Sequence, residues 1–360
     1  MTKVFGLEVE WYDPHAMLTR SFVMRLYADE RQVEMYDARS RRTFLKKSPL
    51  PPSIMTSELY VGNEIVLHSR VLKIVRYADR VTEELLSQAQ VGSTCVLTPA
   101  CIVGGKLGAA LSVLEEANLT IKKLKMVELS ETEARECSSM LHQGDTMAQL
   151  LGSGKCVVVS VVQPDAVEAL KTACHQISKV LGADLAPAAP DKLAAKELDG
   201  FAFGGSRPLS LWPTAQYGPN STCCIVRPHA MACNQLGTIL SHIEAACAYE
   251  ISALGIFRLD IPAATEFLEI YDGVVPEFEA SVKQLSSGPC CALELKAQDA
   301  VNKFRETAGP WDVNFAREIR PTSIRAKFGI DGVKNAIHCT DLPDDGESEL
   351  RYFFDVLKPC

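Results

Sequence analysis

In the first ninety positions apolar residues come in short runs that alternate with polar ones. Ser21–Tyr27 and Gln32–Tyr36 are rich in aromatic and β-branched residues, and the turn-forming Ala28–Arg31 between them predicts a hairpin. Further strands are expected over Arg42–Lys46, Glu64–His68 and Val71–Val75, with a proline-rich loop, Ser48–Pro52, where no ladder should continue. Such a set of short strands predicts a small barrel or sandwich. Beyond it the period changes. Leu236, Ile239, Leu240 and Ile243 recur at i, i+3, i+4 and i+7, the spacing of one helical face. A strand is expected to end at Val226 and another to run over Ser252–Leu259. Two helices, 265–271 and 276–285, should lead to the strand Cys290–Leu295. The longest strongly apolar run, Cys156–Val162, falls far short of the ~20 residues a bilayer span needs.

The pattern from residue 91 onward is written twice. Ser93–Pro99 followed by Leu107-Gly108 matches Thr222–Pro228 followed by Leu236-Gly237, and Ser153–Cys156 with Asp165–Val167 matches Ser287–Cys290 with Asp299–Val301. Each copy reads strand, helix, strand, helix, strand. The expected fold is therefore α+β and multidomain: an N-terminal β domain over 1–90, a first ferredoxin-like βαββαβ copy over 91–212, a linker over 213–221 and a second copy over 222–360. The linker sits where glycine and proline punctuate Trp212–Ser221.

Composition narrows the function classes. Of 360 residues, 47% are hydrophobic and 23% charged, the mixture of a globular chain. The net charge of −8 argues against an electrostatic grip on nucleic acid. Residues 1–90 carry 13 Lys and Arg against 12 Asp and Glu, and the remainder 24 against 33, so the first segment is electrostatically distinct. Thirteen cysteines without any C-x-x-C are a poor zinc pattern and a poor disulfide framework, and they are read as reduced, buried thiols; no metal ligands are assigned. The N-terminus lacks the basic-then-apolar order of a secretory signal, so a cytoplasmic chain without membrane contact is expected. His15 and His68, and likewise His142, His175 and His242, have no metal-spaced partner or motif around them and are read as ordinary strand, surface or core residues.

Three groups of motifs carry resemblances. Glu10–Pro14, Val33–Asp37, Arg42–Lys46, Tyr60–Asn63, Ser69-Arg70 and Tyr77–Asp79, in order, resemble the DM-ten domain of axonemal proteins, a pleckstrin-homology-like (PH-like) β-fold. The turn Arg39–Lys47 is read as a solvated face, with contact to the acidic surface of tubulin as the competing reading. Gly332–Asp341 with Glu349 resembles the N-x-x-H-G-S-D segment of nucleoside diphosphate kinases; Arg320–Arg325 resembles their K-P-G-T-I-R, Arg305 with Gly309 their R-x-x-x-G, and Ser287–Pro289 their S-G-P. The order of modules and the ending Arg351–Leu357 resemble two-kinase-domain homologues from cilia and flagella.

The kinase resemblance implies nucleophilic catalysis by imidazole, with ping-pong transfer of a phosphoryl group from ATP to a nucleoside diphosphate. In that pattern His338 is the nucleophile and Glu349 fixes its tautomer. Arg305 and Arg325 neutralise phosphate oxygens, Asn335 bonds the sugar and leaving oxygen, and Mg²⁺ bridges the phosphates. Arg227 stands where the family has a lysine before proline, and His229 where it has an aspartate. Trp311 replaces a phosphate-contacting threonine and Cys339 the glycine after the histidine. Glu277 and Glu269 fall where the family has an aromatic clamp for the base and a tyrosine near the nucleophile. In the first copy the nucleophile's place falls on Gly204 within Phe201–Ser206, 39 residues after Asp165 as His338 is after Asp299; Thr98 and Phe201 take the places of Arg227 and Asn335, so that copy is expected to be inactive.

Two functions stay open. The resemblance to axonemal homologues implies a structural microtubule inner protein of the ciliary doublet, binding tubulin and neighbouring luminal proteins in the A-tubule, with a link to γ-tubulin complexes and a vestigial kinase site. The retained Arg305, Arg325, Asn335, His338 and Glu349 imply an active kinase anchored to the cytoskeleton of the axoneme. The duplication itself predicts that the two copies pair with each other.

Overall fold

The computed structural model describes residues 3–13, 16–51, 54, 59–61, 64–68, 70–89, 92–163, 165–204, 213–246 and 249–357. Pro14, His15, Pro52, Gly62, Asn63, Ser69, Ser206 and Trp212, named above, lie outside the described residues. The chain divides into two compact units, Met1–Val91 and Gly92–Cys360.

In the first unit six strands form one antiparallel sheet: β1 (Val4–Asp13), β2 (Leu18–Tyr27), β3 (Gln32–Asp37), β4 (Thr43–Pro49), β5 (Glu64–Leu67) and β6 (Arg70–Tyr77), in the order β4-β3-β2-β1-β6-β5. Alternation decides which face is buried. Phe22, Met24 and Leu26 point into the core with Leu7, Val9, Val33, Met35, Leu72 and Ile74, while Arg25 between them is exposed. The helix Arg80–Ala89 closes the unit. One expectation fails here. The ladder does continue into the proline-rich stretch, with Ser48 opposite Val33 and Pro49 opposite Gln32. β4 is the edge strand, so the proline's missing N–H removes no ladder bond.

The second unit is built on a seven-stranded sheet. β7 (Gly92–Leu97), β8 (Thr120–Glu128) and β9 (Lys155–Val162) belong to the first copy; β10 (Ser221–Val226), β11 (Glu250–Arg258), β12 (Pro289–Lys296) and β13 (Ile337–Cys339) belong to the second. The order β13-β10-β12-β11-β8-β9-β7 reads as two mirrored halves meeting where Gly255 of β11 pairs with Lys125 of β8. Helices cover both faces, which is why the continuous apolar run in β9 is buried throughout. Val157, Val159 and Val161 face the core shared with Leu236, Ile239 and Leu240, whereas Cys156 and Val158 face the opposite side.

Two equivalent helices, Leu107–Glu116 and Leu236–Ala245, pack across the seam. Gly108 and Gly237 are at the closest approach: a Cβ on either would run into the backbone nitrogen of Ser241 or Ser112. Each helix start is capped by a carboxylate of the other. Glu244 accepts from the N–H groups of Leu107 and Gly108 at 3.0 and 2.9 Å, and Glu115 from those of Leu236 and Gly237 at 3.0 Å each. Residues 213–220, though irregular, are fastened to the sheet, because buried Glu294 accepts from the N–H groups of Gln216 and Tyr217 at 2.8 Å and from the hydroxyls of Ser221 and Ser252.

The second copy has the strand order 4-1-3-2 of a βαββαβ unit, with β13 as the fourth strand on the edge. In the first copy that strand is reduced to one bridge, Cys95 opposite Ala188, flanked by Val96 N–H to Pro187 and Ala189 N–H to Thr94.

Candidate active site

β10 is buried end to end, and where it finishes Arg227 caps a short helix, Pro228–Ala232, whose first position is the proline that a helix start tolerates. β13 lies beside it, with His338 opposite Ile225 and Cys339 opposite Cys224. The register turns His338 to the face where helix Gly346–Arg351 presents Glu349. Its Nε2 lies 3.0 Å from both carboxylate oxygens. Thr340 donates to the same carboxylate at 2.7 Å and accepts from the Cys223 N–H at 3.0 Å, which orients it.

These partners fix the state of the imidazole. A carboxylate accepts only, so Nε2 carries the proton and Nδ1 keeps the lone pair. That Nδ1 is buried and has no hydrogen-bond partner. The same holds for Nε of Arg227, Nε of Arg325 and both amide atoms of Asn335. Four site residues expected from the sequence thus present unused polar atoms in one region. Burial and the neighbouring Arg325 push the Arg227 guanidinium down to about 10, still cationic at neutral pH. Arg325 itself is anchored through Nη1 to the Gly309 carbonyl at 2.9 Å and through Nη2 to the Ile337 carbonyl at 3.4 Å. Burial raises the Cys339 thiol, so it stays protonated and does not compete with the imidazole as a nucleophile.

Aromatic rings roof this pocket. Trp311 has the guanidinium carbons of both Arg227 and Arg325 5.3 Å from its ring centroid, and Tyr271 stands 5.9 Å from Trp311 and 6.3 Å from the His338 ring. Phe267 meets His338 edge-on at 5.1 Å. The histidine is consequently only 1% exposed. The Tyr271 hydroxyl donates to Asp341 at 2.6 Å, and Arg305 donates to the Asp341 carbonyl at 3.0 Å, so these three form a latch at the rim.

Several expectations change. Arg305, expected to neutralise phosphate oxygens, is half-exposed and pairs with Asp341, its Nε 3.7 Å from that carboxylate. Tyr271, two residues beyond Glu269, is the group against His338. Phe278, one residue beyond Glu277, lines an open groove of about 540 Å³ with Ile261, Pro262, Thr265, Glu266, Glu269 and Asp272. Tyr271, not Glu269, thus stands where the resemblance implies a tyrosine near the nucleophile, while Glu277 sits at the start of the helix Phe278–Leu285. In the first copy Gly204 ends the helix Lys192–Phe203. Since Cys95 pairs with Ala188 as Cys224 pairs with Cys339, the counterpart of His338 is Pro187, and counting 39 residues misses it because, among the described residues, the first copy has no counterpart of the helices Val313–Ile319 and Ile324–Phe328 ahead of the strand. Proline supplies no nucleophile either. Phe267, on helix Ile261–Leu268, and Tyr271, at the end of the turn after it, are pocket residues that no motif in the sequence marks.

Comparison with known proteins shows what the chain is similar to. The family model "Nucleoside diphosphate kinase" matches residues 220–358, the span that holds every residue of the pocket. The nucleoside diphosphate kinase of Aquifex aeolicus is 39% identical over 137 residues, covering 38% of this chain and 95% of its own. Its crystal structure aligns with 40% identity over 38% of this chain and 94% of that chain, at a TM-score of 0.35. Nucleoside diphosphate kinase homolog 7 of Rattus norvegicus is 34% identical across 98% of this chain and 93% of its own, and the Mus musculus protein of the same name matches equally. With a third of its positions shared along nearly its whole length, and the kinase motifs folded into one buried pocket, the chain belongs to the nucleoside diphosphate kinase homologues.

Proposed function

We propose that residues 220–358 work as a nucleoside diphosphate kinase through His338. The observation that carries this reading is the divided imidazole: Nε2 is bound to Glu349 and Nδ1 is buried with a free lone pair, in a pocket that also holds unpartnered N–H groups of two arginines and an asparagine. Nδ1 attacks the γ-phosphorus of ATP; the N–P bond forms as the bond to the β–γ bridging oxygen breaks, and ADP leaves with that electron pair. Glu349 stabilises the positive charge that develops on the ring. A nucleoside diphosphate then takes the phosphoryl group by the reverse path. The free donors suit phosphate oxygens. Among the described residues no cluster of three or more His, Cys, Asp or Glu is placed to hold a metal, so Mg²⁺ would be held by the nucleotide's own phosphates, where it neutralises their charge.

The test is incubation of the chain and its His338→Ala variant with γ-labelled ATP and Mg²⁺. Acid-labile label on Nδ1, transferable to GDP and absent from the variant, is the expected result. No label at saturating nucleotide would remove the reading.

The closed roof over His338 and the proline in the first copy favour a second reading, in which the fold serves as a surface. On this reading the chain is a structural microtubule inner protein of the axonemal doublet in cilia and flagella, binding tubulin and neighbouring luminal proteins, with γ-tubulin complexes as a further partner. The resemblance of residues 1–90 to DM-ten domains supports it. Co-sedimentation with microtubules, and axonemes that assemble normally with His338→Ala, would favour it; failure to bind tubulin would remove it.

A further inference from the structure

Ala336 has a backbone φ of 73°, a left-handed conformation that a non-glycine residue adopts at a cost. Across it the Ile337 N–H donates to the Asn335 carbonyl at 3.0 Å, closing a three-residue turn with an i→i+2 bond. Turns of this kind with positive φ are rare and strained, and they persist only where their surroundings hold them. This one separates two residues of the pocket: Asn335 precedes Ala336, and His338 follows two positions later.

Two bonds hold the turn, and both come from the start of the short helix after β10. The Arg227 N–H donates to the Ala336 carbonyl at 2.9 Å, and the Ala336 N–H donates to Nε2 of His229 at 3.2 Å. The first is a backbone bond that any residue could make. The second depends on an acceptor in the His229 side chain.

We propose that His229 is a positioning residue for the pocket: its Nε2 pins the strained turn at Ala336 and so sets where Asn335 and His338 stand. The ring's hydrogen bonding is complete only in one state. A nitrogen that accepts the Ala336 N–H cannot carry a proton, so the proton is on Nδ1. Nδ1 lies 3.2 Å from the side-chain amide of Gln284, and as a donor it requires the carbonyl oxygen there. Turning that amide by half a rotation supplies Oε1, which is otherwise buried without a partner. The chain of bonds then runs from Ala336 through His229 to Gln284 on helix Phe278–Leu285. The charged groups facing the ring are Arg227 on its own segment and Lys334 and Asp331 in the loop before β13; burial and the two cations keep it neutral, down to about 4. A histidine that merely filled space would need none of these partners.

The test uses the full chain with His229→Ala and His229→Gln. Gln can place Oε1 where Nε2 stood; Ala leaves the Ala336 N–H buried and unpaired. The kinetic arm rests on the kinase reading: His229→Ala should lower phosphoryl transfer about tenfold or more, with half-saturating ATP changed much less, and His229→Gln should recover most of the rate. Two readouts do not depend on activity. Hydrogen exchange at the Ala336 amide should be slow in the native chain, at least about tenfold faster in His229→Ala and slow again in His229→Gln. Nitrogen NMR of the native His229 should show the Nδ1–H tautomer at neutral pH. An Ala336 amide equally slow in His229→Ala, a glutamine variant that behaves like alanine, or an Nε2–H tautomer would overturn the proposal. If the native chain takes no phosphate from ATP, the kinase reading falls and the exchange and tautomer results still decide whether His229 holds the turn.

Discussion

The pocket around His338 is defined by side chains that are over-supplied with cations and under-supplied with anions. Arg227 and Arg325 repel one another, and among the described residues neither forms an ion pair with a carboxylate; the face of Trp311 compensates part of that charge. A desolvated guanidinium on an indole gains about 1–2 kcal/mol, so a phosphate must displace contacts of that size to enter. Trp311→Thr removes them, and half-saturating ATP should fall about tenfold in a labelling assay, a factor worth about 1.4 kcal/mol. An unchanged value would mean that the indole does not obstruct the site. His229 gives the pocket a pH signature. Its folded value is depressed from 6.5 to about 4, so its contribution to stability is complete above 6.5 and is lost as pH falls from 6.5 towards 4. Because the ring is partly exposed the loss is about 2 kcal/mol at most. Urea unfolding at neutral and mildly acid pH should show His229→Gln losing less stability on acidification than the native chain. His338, Glu349, Arg325 and Asn335 were legible in the sequence because short motifs fix their identity and order. The roof was not, since the contact of Tyr271 with His338 depends on the length of the turn after helix Ile261–Leu268, and no motif marks it.

At the scale of elements, periodicity located the strands and helices well where one face is buried and poorly where pairing alone makes the strand. Ser21–Tyr27 lies within β2, whose buried Phe22, Met24 and Leu26 alternate with less buried neighbours and which begins three residues earlier, and Gln32–Tyr36 became β3 with one residue added. β13 has three residues and no period; the hydrogen bonds of β10 make it a strand. The first copy's fourth strand shrank to the Ala188 bridge because Pro187 and Pro190 beside it cannot donate to a ladder. Helices Leu107–Glu116 and Leu236–Ala245 were legible from their apolar face, yet what brings them together is a glycine in each. Gly237→Ala places a methyl against the Ser112 backbone, which cannot withdraw without parting the helices. The expected cost is about 2–3 kcal/mol, read as a lower urea midpoint. The same change at Gly200, where a Cβ would meet nothing within 4 Å, should move the midpoint little.

Over the whole second unit the duplication governs the architecture. Leu107, Gly108, Ser112 and Glu115 in the first copy and Leu236, Gly237, Ser241 and Glu244 in the second have identical spacing. The glycines allow close approach and the glutamates cap the opposite helix, so each copy carries both the donor and the acceptor half of the seam. That pattern stood in the sequence, and the duplication alone foretold that the copies pair. It could not foretell that they share one sheet, because β8 and β11 alternate no differently from strands at a free edge. A surface that carries both halves of its own interface is self-complementary under a twofold axis. Residues 213–360 expressed alone should therefore form a dimer, two β11 strands replacing the β8–β11 pair and each Glu244 capping the partner's helix at Leu236 and Gly237. Mass measurement at micromolar concentration reads the outcome. Gly237→Leu in that fragment should abolish the dimer, since the side chain occupies the space of the opposing backbone. A folded monomer before the substitution would show that the seam's stability depends on the two copies being different, and the self-complementary account would fail.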